Sequence, residues 1–459
     1  MTNNIVVVNV SQTVAPAPSQ LQRTGALISQ GGTTKAAQTL TLITSLADLT
    51  AILSASKAIT SMAWSASVVT VTTTSPHGWT NGDVIPVTIA GVTPAAYNGN
   101  VTATVTGAST FTYPLVSNPG SVTIQGTVIL GDSAELAAMG TTYFAQGANQ
   151  SVYVLELGEG TATEGVAALT TFIAANPNRV YSYLVPREWD GVAAYLTFLA
   201  SYEATTSKTY FFTTTTTGTY TSYTALMKCV FALVEAPTIG ATEFSCAAPF
   251  FVSLSYAPSS TTRVPPIAFS YLYGVTPYPT AGNAAILQTL KTANINVVGT
   301  GAEGGISTAI LLWGHMLDGN PFNYWYSVDW AQINLDQDIS NEIINGSNST
   351  LTPLYYDQPG INRLQNRSAQ TLSNAISYGL ALGSVVTTQL PAAVFAQNVA
   401  NRVYAGQLAI NAEPFNIYTT ENPNDYQIGK YGGLAAVYTP SRGFEQIVFN
   451  LNVTSFVGG

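Results

Sequence analysis

The chain has 459 residues, of which 8% are charged and 46% hydrophobic, and its formal net charge is −9. Ordinary soluble domains carry roughly a quarter charged residues, so the charged coat is thin; either much of the surface is covered by copies of the chain or by partners, or Thr, Ser and Asn hydrate it instead. The acidic balance excludes the basic stripe of a nucleic-acid binder, and no apolar run is long enough to insert in a membrane.

Residues 1–24 read as an N-terminal arm. MTNNIVVVNV lacks the basic start of a signal peptide, which points to synthesis in a cytoplasm. Ile5, Val6, Val7, Val8 and Val10 give a short strand signal, and Pro16 and Pro18 keep the following linker extended. From Gly25 the pattern becomes α/β. GALISQG reads as a buried strand, and SLADLTAILSAS has helical spacing, with Leu46, Leu49 and Leu53 on one face and Ser45 as N-cap.

Near residue 60 the pattern changes to strands and turns only. Val101, Ala103 and Val105 alternate with Thr102, Thr104 and Thr106, and Asn98-Gly99 is a tight-turn signal. Helical spacing resumes with SAELAAMGTTYFAQG. Residues 61–128 therefore read as a small all-β domain inserted into an α/β core made of residues 25–60 and 129–442. Strands and helices then alternate through SVYVLELG, GVAALTTFIAAN, VYSYLVP, GVAAYLTFLASY and KTYFFTTTT, as in a sheet wound with helices. Further on, NINVV reads as a strand, STAILLWGHML as one continuous strand and DWAQINLDQDISNEIINGS as a helix. Residues 443–459 read as a C-terminal arm strand, with Ile447, Phe449, Leu451 and Val453 on one face and Asn450 and Asn452 on the other.

Several stretches resemble sites and have simpler readings. Gly299 to Gly304 matches G-x-G-x-x-G, and Asp318 lies at about the distance expected of a ribose-binding acid. The stretch between them leaves no room for a helix and a returning strand, so GTGAEGG reads as a hairpin turn. GHMLDGNPFNYWYSVDW concentrates His315, Asp318, Asp329 and large rings in a chain poor in charge. One reading is a carboxylate pair for glycoside hydrolysis beside a sugar platform. The simpler reading is a strand, an Asp-Gly turn, a second strand, and a helix capped by Asp329 with Gln332 three residues on. His315 then packs between Trp313 and Leu317, and a general base would need a nucleophile or an orienting acid in reach. His77 in PHGWTNGD reads as a turn or surface residue. Cys229 and Cys246 have no metal or disulfide spacing, and no G-x-S-x-G elbow is present. No catalytic residue, metal or cofactor is expected.

In order, these segments resemble the contractile tail sheath proteins of myovirus-type bacteriophages. GALISQG with TLITSLADLTAIL, the series SVYVLELG, VYSYLVP and KTYFFTT, the stretch HMLDGNPFNYWYSVDWAQINLDQDI, YYDQPGINRLQ with Gly360 and Ile361, and GFEQIVFNLNV carry the resemblance. HGWTNGDVIPVTIAGV with YNGNVTATV and TFTY resembles a small β-module of phage tail and baseplate proteins. The resemblance implies a non-enzymatic subunit of the virion tail that stacks helically with itself around an inner tail tube protein. It implies baseplate and tail terminator proteins as further partners, no direct nucleic-acid contact, and contraction that drives the tube through the host envelope without nucleotide or metal. It also implies that the arm strands, Ile5 to Val10 and Ile447 to Val453, pair in neighbouring subunits. The N-terminal arm departs from clean alternation, which leaves its register open. The competing reading is a tail or baseplate adhesin that binds host glycan through residues 61–128.

Overall fold

A computed structural model describes residues 20–445, apart from 80, 149, 205, 224–225, 280–281 and 302–307. The chain runs through β1 (Gly25–Ser29), β2 (Thr39–Ile43) and α1 (Leu46–Ile52), then β3 (Lys57–Ser65), β4 (Val68–Thr73), β5 (Val84–Ala90), β6 (Gly99–Gly107), β7 (Thr110–Pro114) and β8 (Thr127–Leu130). It continues through α2 (Gly131–Ala145), β9 (Val152–Glu156), α3 (Ala162–Ala175), β10 (Ser182–Leu184), α4 (Ala193–Ala200), β11 (Tyr210–Thr215), β12 (Val230–Val234), α5 (Ala247–Ser255), α6 (Ala284–Thr292), β13 (Asn296–Thr300) and β14 (Ala309–Leu311). Then follow α7 (Phe322–Asn348), α8 (Gln358–Ser377), β15 (Val385–Thr388), α9 (Ala392–Ala400), β16 (Leu408–Ala412), α10 (Phe415–Glu421), α11 (Pro423–Gln427) and β17 (Leu434–Val437). The described residues divide into two compact units, 23–326 with 441–445, and 327–440 with 20–22. No described helix is long and apolar enough to cross a membrane.

In the larger unit the described strands form an eight-stranded sheet in the order β14-β13-β12-β11-β10-β1-β9-β2. The strands from β13 to β9 in that order run parallel, and β14 and β2 close the two ends antiparallel. All five residues of β1 and of β12, and all six of β11, are buried, the pattern of strands covered on both faces. One face packs Ala26, Ile28, Tyr183 and Phe211 against α3 and α4 through Leu169, Phe172 and Phe198. The other face is aromatic: Phe212 stacks on Phe231 at 4.8 Å and meets Phe250 of α5 edge-on at 5.2 Å. Gly25 allows the close approach of α5 here: a Cβ on it would lie 2.4 Å from Leu254 Cδ1 and force that side chain to shift.

Helix starts follow the local chemistry. The Ser45 hydroxyl accepts from Asp48 N at the start of α1, as its position predicts. Thr161 and Glu164 form a reciprocal capping box on α3.

β3 to β8 close into a six-stranded antiparallel barrel in the order β3-β4-β7-β6-β5-β8. The sequence alternation is realised in its core, where Val69, Val71, Val87, Ala103, Val105, Phe111 and Tyr113 point inward. Closure pairs every strand and leaves no edge. α2 follows β8 directly and touches β5 and β8 as well as β1.

The smaller unit holds a three-stranded sheet in the order β15-β16-β17, with β15 and β16 parallel and β17 antiparallel to β16. α8 starts at Asp357, whose side chain accepts from Gly360 N at 2.8 Å. It packs on β15 and β16, and Gln365 donates to the carbonyls of Thr388 and Ile410.

Four local expectations are corrected. STAILLWGHML is not one strand; only Ala309–Leu311 is. FNYWYSV is not a strand but the start of α7. Phe322, Tyr326 and Trp330 recur every four residues, a helical stripe that strand-favouring aromatics disguise as a strand. Asp329 therefore lies inside α7 rather than at its N-cap. His77 is not a surface residue: it is buried and stacks on Trp79 at 4.3 Å.

Candidate functional site

The stretch from Gly314 to Tyr326 is organised by backbone hydrogen bonds. His315 N donates to Asn296 Oδ1 at 2.8 Å, and Asn296 Nδ2 donates back to the His315 carbonyl at 2.7 Å. Met316 N donates to the Asn320 carbonyl, and Gly319 N to the Met316 carbonyl, across a tight turn in which Gly319 has φ +82°. That left-handed conformation favours glycine. Asp318 closes the turn: Oδ1 accepts from Asn320 N at 2.9 Å, and Oδ2 accepts from Asn320 Nδ2 and Trp325 Nε1, both at 2.8 Å. The Asp-Gly turn is thus as expected, and the carboxylate is engaged in it. The acid that meets the His315 ring is neither aspartate but Glu445, with Oε1 at 2.7 Å from Nε2. Glu445 lies 130 residues away in sequence, and no local pattern announces it.

A second place to seek a ligand is the carboxyl end of β1. β1 lies between β9 and β10, the switch point at which open α/β sheets bind ligands. Here the chain fills that position itself. Glu156, at the end of β9, accepts at Oε1 from Gly31 N at 2.6 Å and Gly158 N at 2.8 Å. Its Oε2 accepts from Ser29 Oγ at 2.9 Å, Thr33 N at 3.1 Å and Thr33 Oγ1 at 2.7 Å. Converging backbone N–H groups of this kind form an anion cradle, and the anion is a side chain of the same protein. Gln30 fills the space alongside, donating to the carbonyls of Gly160 and Thr161 and accepting from Trp189 Nε1. No sequence pattern singles out Glu156, because all of its partners but Gly158 come from one loop about 125 residues away.

Next to this cradle, Arg187 pairs with Glu235 through two hydrogen bonds of 2.8 Å, and its backbone N–H donates to Glu135 Oε1 at 2.7 Å. Burial pushes the carboxyls of Asp132 and Glu135 up, Asp132 well above its ordinary range. Burial, with Glu135 nearby, raises Glu188 to about 7. Among the described residues no group of three His, Cys, Asp or Glu is placed to hold a metal ion. Cys229 and Cys246 are free and buried, and burial pushes both thiols up, away from the thiolate a nucleophile needs. A cavity of about 490 Å³ beside α6 is lined, among the described residues, by Tyr, Thr, Gln, Asn, Leu and Ala, with no carboxylate, His, Cys, Lys or Arg.

The fingerprint-like segment from Gly299 joins β13 to an antiparallel β14, where a dinucleotide site would need a helix and a parallel strand. Residues 302–307 of that connection lie outside the described residues, as do the arm strands Ile5, Val6, Val7, Val8 and Val10, and Ile447, Phe449, Leu451 and Val453. Among the described residues, β2 and β14 end the large sheet and β15 and β17 end the small one, and the outer side of β14 is met by an antiparallel bridge from Tyr271 to Ile310.

No protein-family model matches the sequence, and no curated protein matches it. Solved structures do. A chain of the cryo-EM structure of the anti-feeding prophage baseplate aligns over 99% of this chain and 99% of its own length, at 13% identity and a TM-score of 0.52. A chain of the contracted helical sheath of the same prophage aligns over 99% and 100%, at 12% identity and a TM-score of 0.49. The sheath tail protein of Desulfitobacterium hafniense aligns over 82% and 90%, at 10% identity and a TM-score of 0.34. The last two scores are too low to establish a common fold. The first, across the whole of both chains, shows that this protein shares the fold of a subunit in the anti-feeding prophage baseplate structure.

Proposed function

We propose that this protein is the structural subunit of a contractile tail sheath. It polymerises helically around an inner tail tube protein, joins a baseplate at one end and a tail terminator protein at the other, and contracts to drive the tube through a host envelope. The observation that carries this reading is the fold shared, end to end, with a chain of a contractile-particle baseplate structure. The thin charge coat supports it, since 8% charged residues suit a surface covered by neighbouring copies.

Subunits are joined by strand exchange. Ile5 to Val10 and Ile447 to Val453 add to sheet edges of neighbouring copies, for which β15 and β17, the end strands of the small sheet among the described residues, are the candidates. The expected insertion, residues 61–128, which makes up most of the barrel of β3 to β8, is carried on the outside of the array, where bulk does not obstruct the tube. The work is mechanical rather than catalytic: energy is stored in subunit packing and released by a change in packing. In keeping with that, Asp318 and Glu156 are engaged in holding loops, and both thiols are buried.

Negative-stain electron microscopy of the purified protein tests the reading, and tubes or long polymers are expected. Removing residues 1–19 should leave folded monomers. A protein that stays monomeric at every concentration would sink the sheath assignment, and tubes unchanged by the truncation would sink strand exchange through the N-terminal arm.

A further inference from the structure

We propose that the stretch from Gly314 to Tyr326 is the anchor of the C-terminal arm, and that the Glu445–His315 contact ties the arm to β13 and β12 of the large sheet. Residues 441–445 are the last described before the arm strand, and they lie on this stretch through successive contacts. The Ser441 carbonyl accepts from Asn323 Nδ2 at 3.0 Å. The Arg442 guanidinium bonds to Asn320 Oδ1 and lies over the Tyr324 ring, 5.1 Å from its centre. Glu445 then reaches His315 Nε2 at 2.7 Å.

His315 is well placed to pass a pull inward. Its backbone is held on both sides by Asn296, which is fully buried in β13 and also donates to the Ala232 carbonyl of β12 at 3.0 Å. Force applied beyond residue 445 therefore reaches β12 and β13 through one side-chain contact and three short hydrogen bonds. The Asp318 turn and its bond to Trp325 keep Asn320, Asn323 and Tyr324 in position to receive residues 441 and 442. The residues that resemble a catalytic cluster in sequence are thus the seat of a tether. This rests on the reading above only in that the arm links subunits; the docking of residues 441–445 is a property of each single chain.

Limited trypsin cleavage of the full-length monomer tests it, because the protease must take the Arg442 side chain into its own pocket and away from Asn320 and Tyr324. Cleavage after Arg402, an exposed loop arginine, is the internal reference. In Glu445→Ala, cleavage after Arg442 relative to Arg402 is expected to rise about tenfold, in line with loss of one hydrogen bond to an ionisable partner. Glu445→Gln, which keeps an acceptor at the same reach, should restore part of the protection. A ratio unchanged within about twofold, or equal acceleration at both arginines, overturns the anchor. Micrographs of the unaltered protein decide the sheath reading separately: if it forms no tubes that reading fails, while the cleavage ratio still decides whether the anchor exists.

Discussion

Thr33 donates both its backbone N–H and its hydroxyl to the same oxygen of Glu156, at 3.1 and 2.7 Å. With Ser29, Gly31 and Gly158 these bonds join the ends of β1 and β9 around one buried carboxylate. The position that other α/β proteins leave open for a ligand is thereby used to fix two loops.

Replacing Glu156 removes the acceptor from several buried donors at once. Glu156→Ala should cost on the order of 3–5 kcal/mol, the range for breaking a buried polar network. Urea unfolding should show a lower midpoint with an unchanged slope. A loss below about 1 kcal/mol would mean that water or neighbouring side chains replace the carboxylate.

The charge of Glu188 gives a pH dependence with a definite sign. Its carboxyl is raised from 4.5 to about 7 by burial and by Glu135, and its Oε1 is buried without a hydrogen-bond partner among the described residues. Below pH 4.5 the group is protonated in both the folded and the unfolded chain and contributes no difference. Between 4.5 and about 7 the unfolded chain releases the proton and the folded chain keeps it, so folding loses stability as pH rises through that window. Glu188→Gln does not titrate. It should match the parent at about pH 4.5 and become more stable by on the order of 2 kcal/mol at pH 7.5, with the partial exposure of the group holding the gain below the full shift. Thermal unfolding across that pH range measures it, and a constant difference at all pH values would sink the assignment.

The capping box on α3 predicts a smaller, local effect. Thr161 Oγ1 accepts from Glu164 N at 3.4 Å, and Thr161 N donates to Glu164 Oε2 at 2.7 Å. Thr161→Ala should cost about 1 kcal/mol. The loss should fall on α3 first, seen as faster hydrogen exchange in the first turn. Exchange unchanged there would mean that helix packing alone fixes the start of α3.

What the sequence discloses depends on how local the cause is. The buried run of β1, the strand at β11, the Ser45 cap and the alternation through Val101, Ala103 and Val105 arise from neighbours in sequence, and each is realised as expected. The start of α7 reads as a strand in sequence because Phe322, Tyr324 and Tyr326 alternate as well as stripe, and aromatic residues favour strands when nothing else decides. His77 reads as a turn residue from its Pro and Gly neighbours; Trp79 and Phe111, packed against it, bury it. Glu156 and Glu445 were illegible for another reason. Each acts on groups more than 120 residues away, and a single acid at a strand or chain end carries no pattern of its own.

Phe111 tests whether the barrel folds as a unit of its own. It is fully buried at the barrel centre, with the Trp79 ring at 5.5 Å and the His77 ring at 6.3 Å. Phe111→Ala leaves a cavity in a core shared only with other barrel residues and should cost about 3–5 kcal/mol. If residues 61–128 are an insertion with an independent core, hydrogen exchange should accelerate in β4, β5 and β6 and stay unchanged in β1, β9 and β11. α2 touches both the barrel and β1, so it is the element through which any coupling would pass. Equal acceleration in β1 would show that barrel and sheet unfold together, and the barrel would then be part of the core rather than a module added to it.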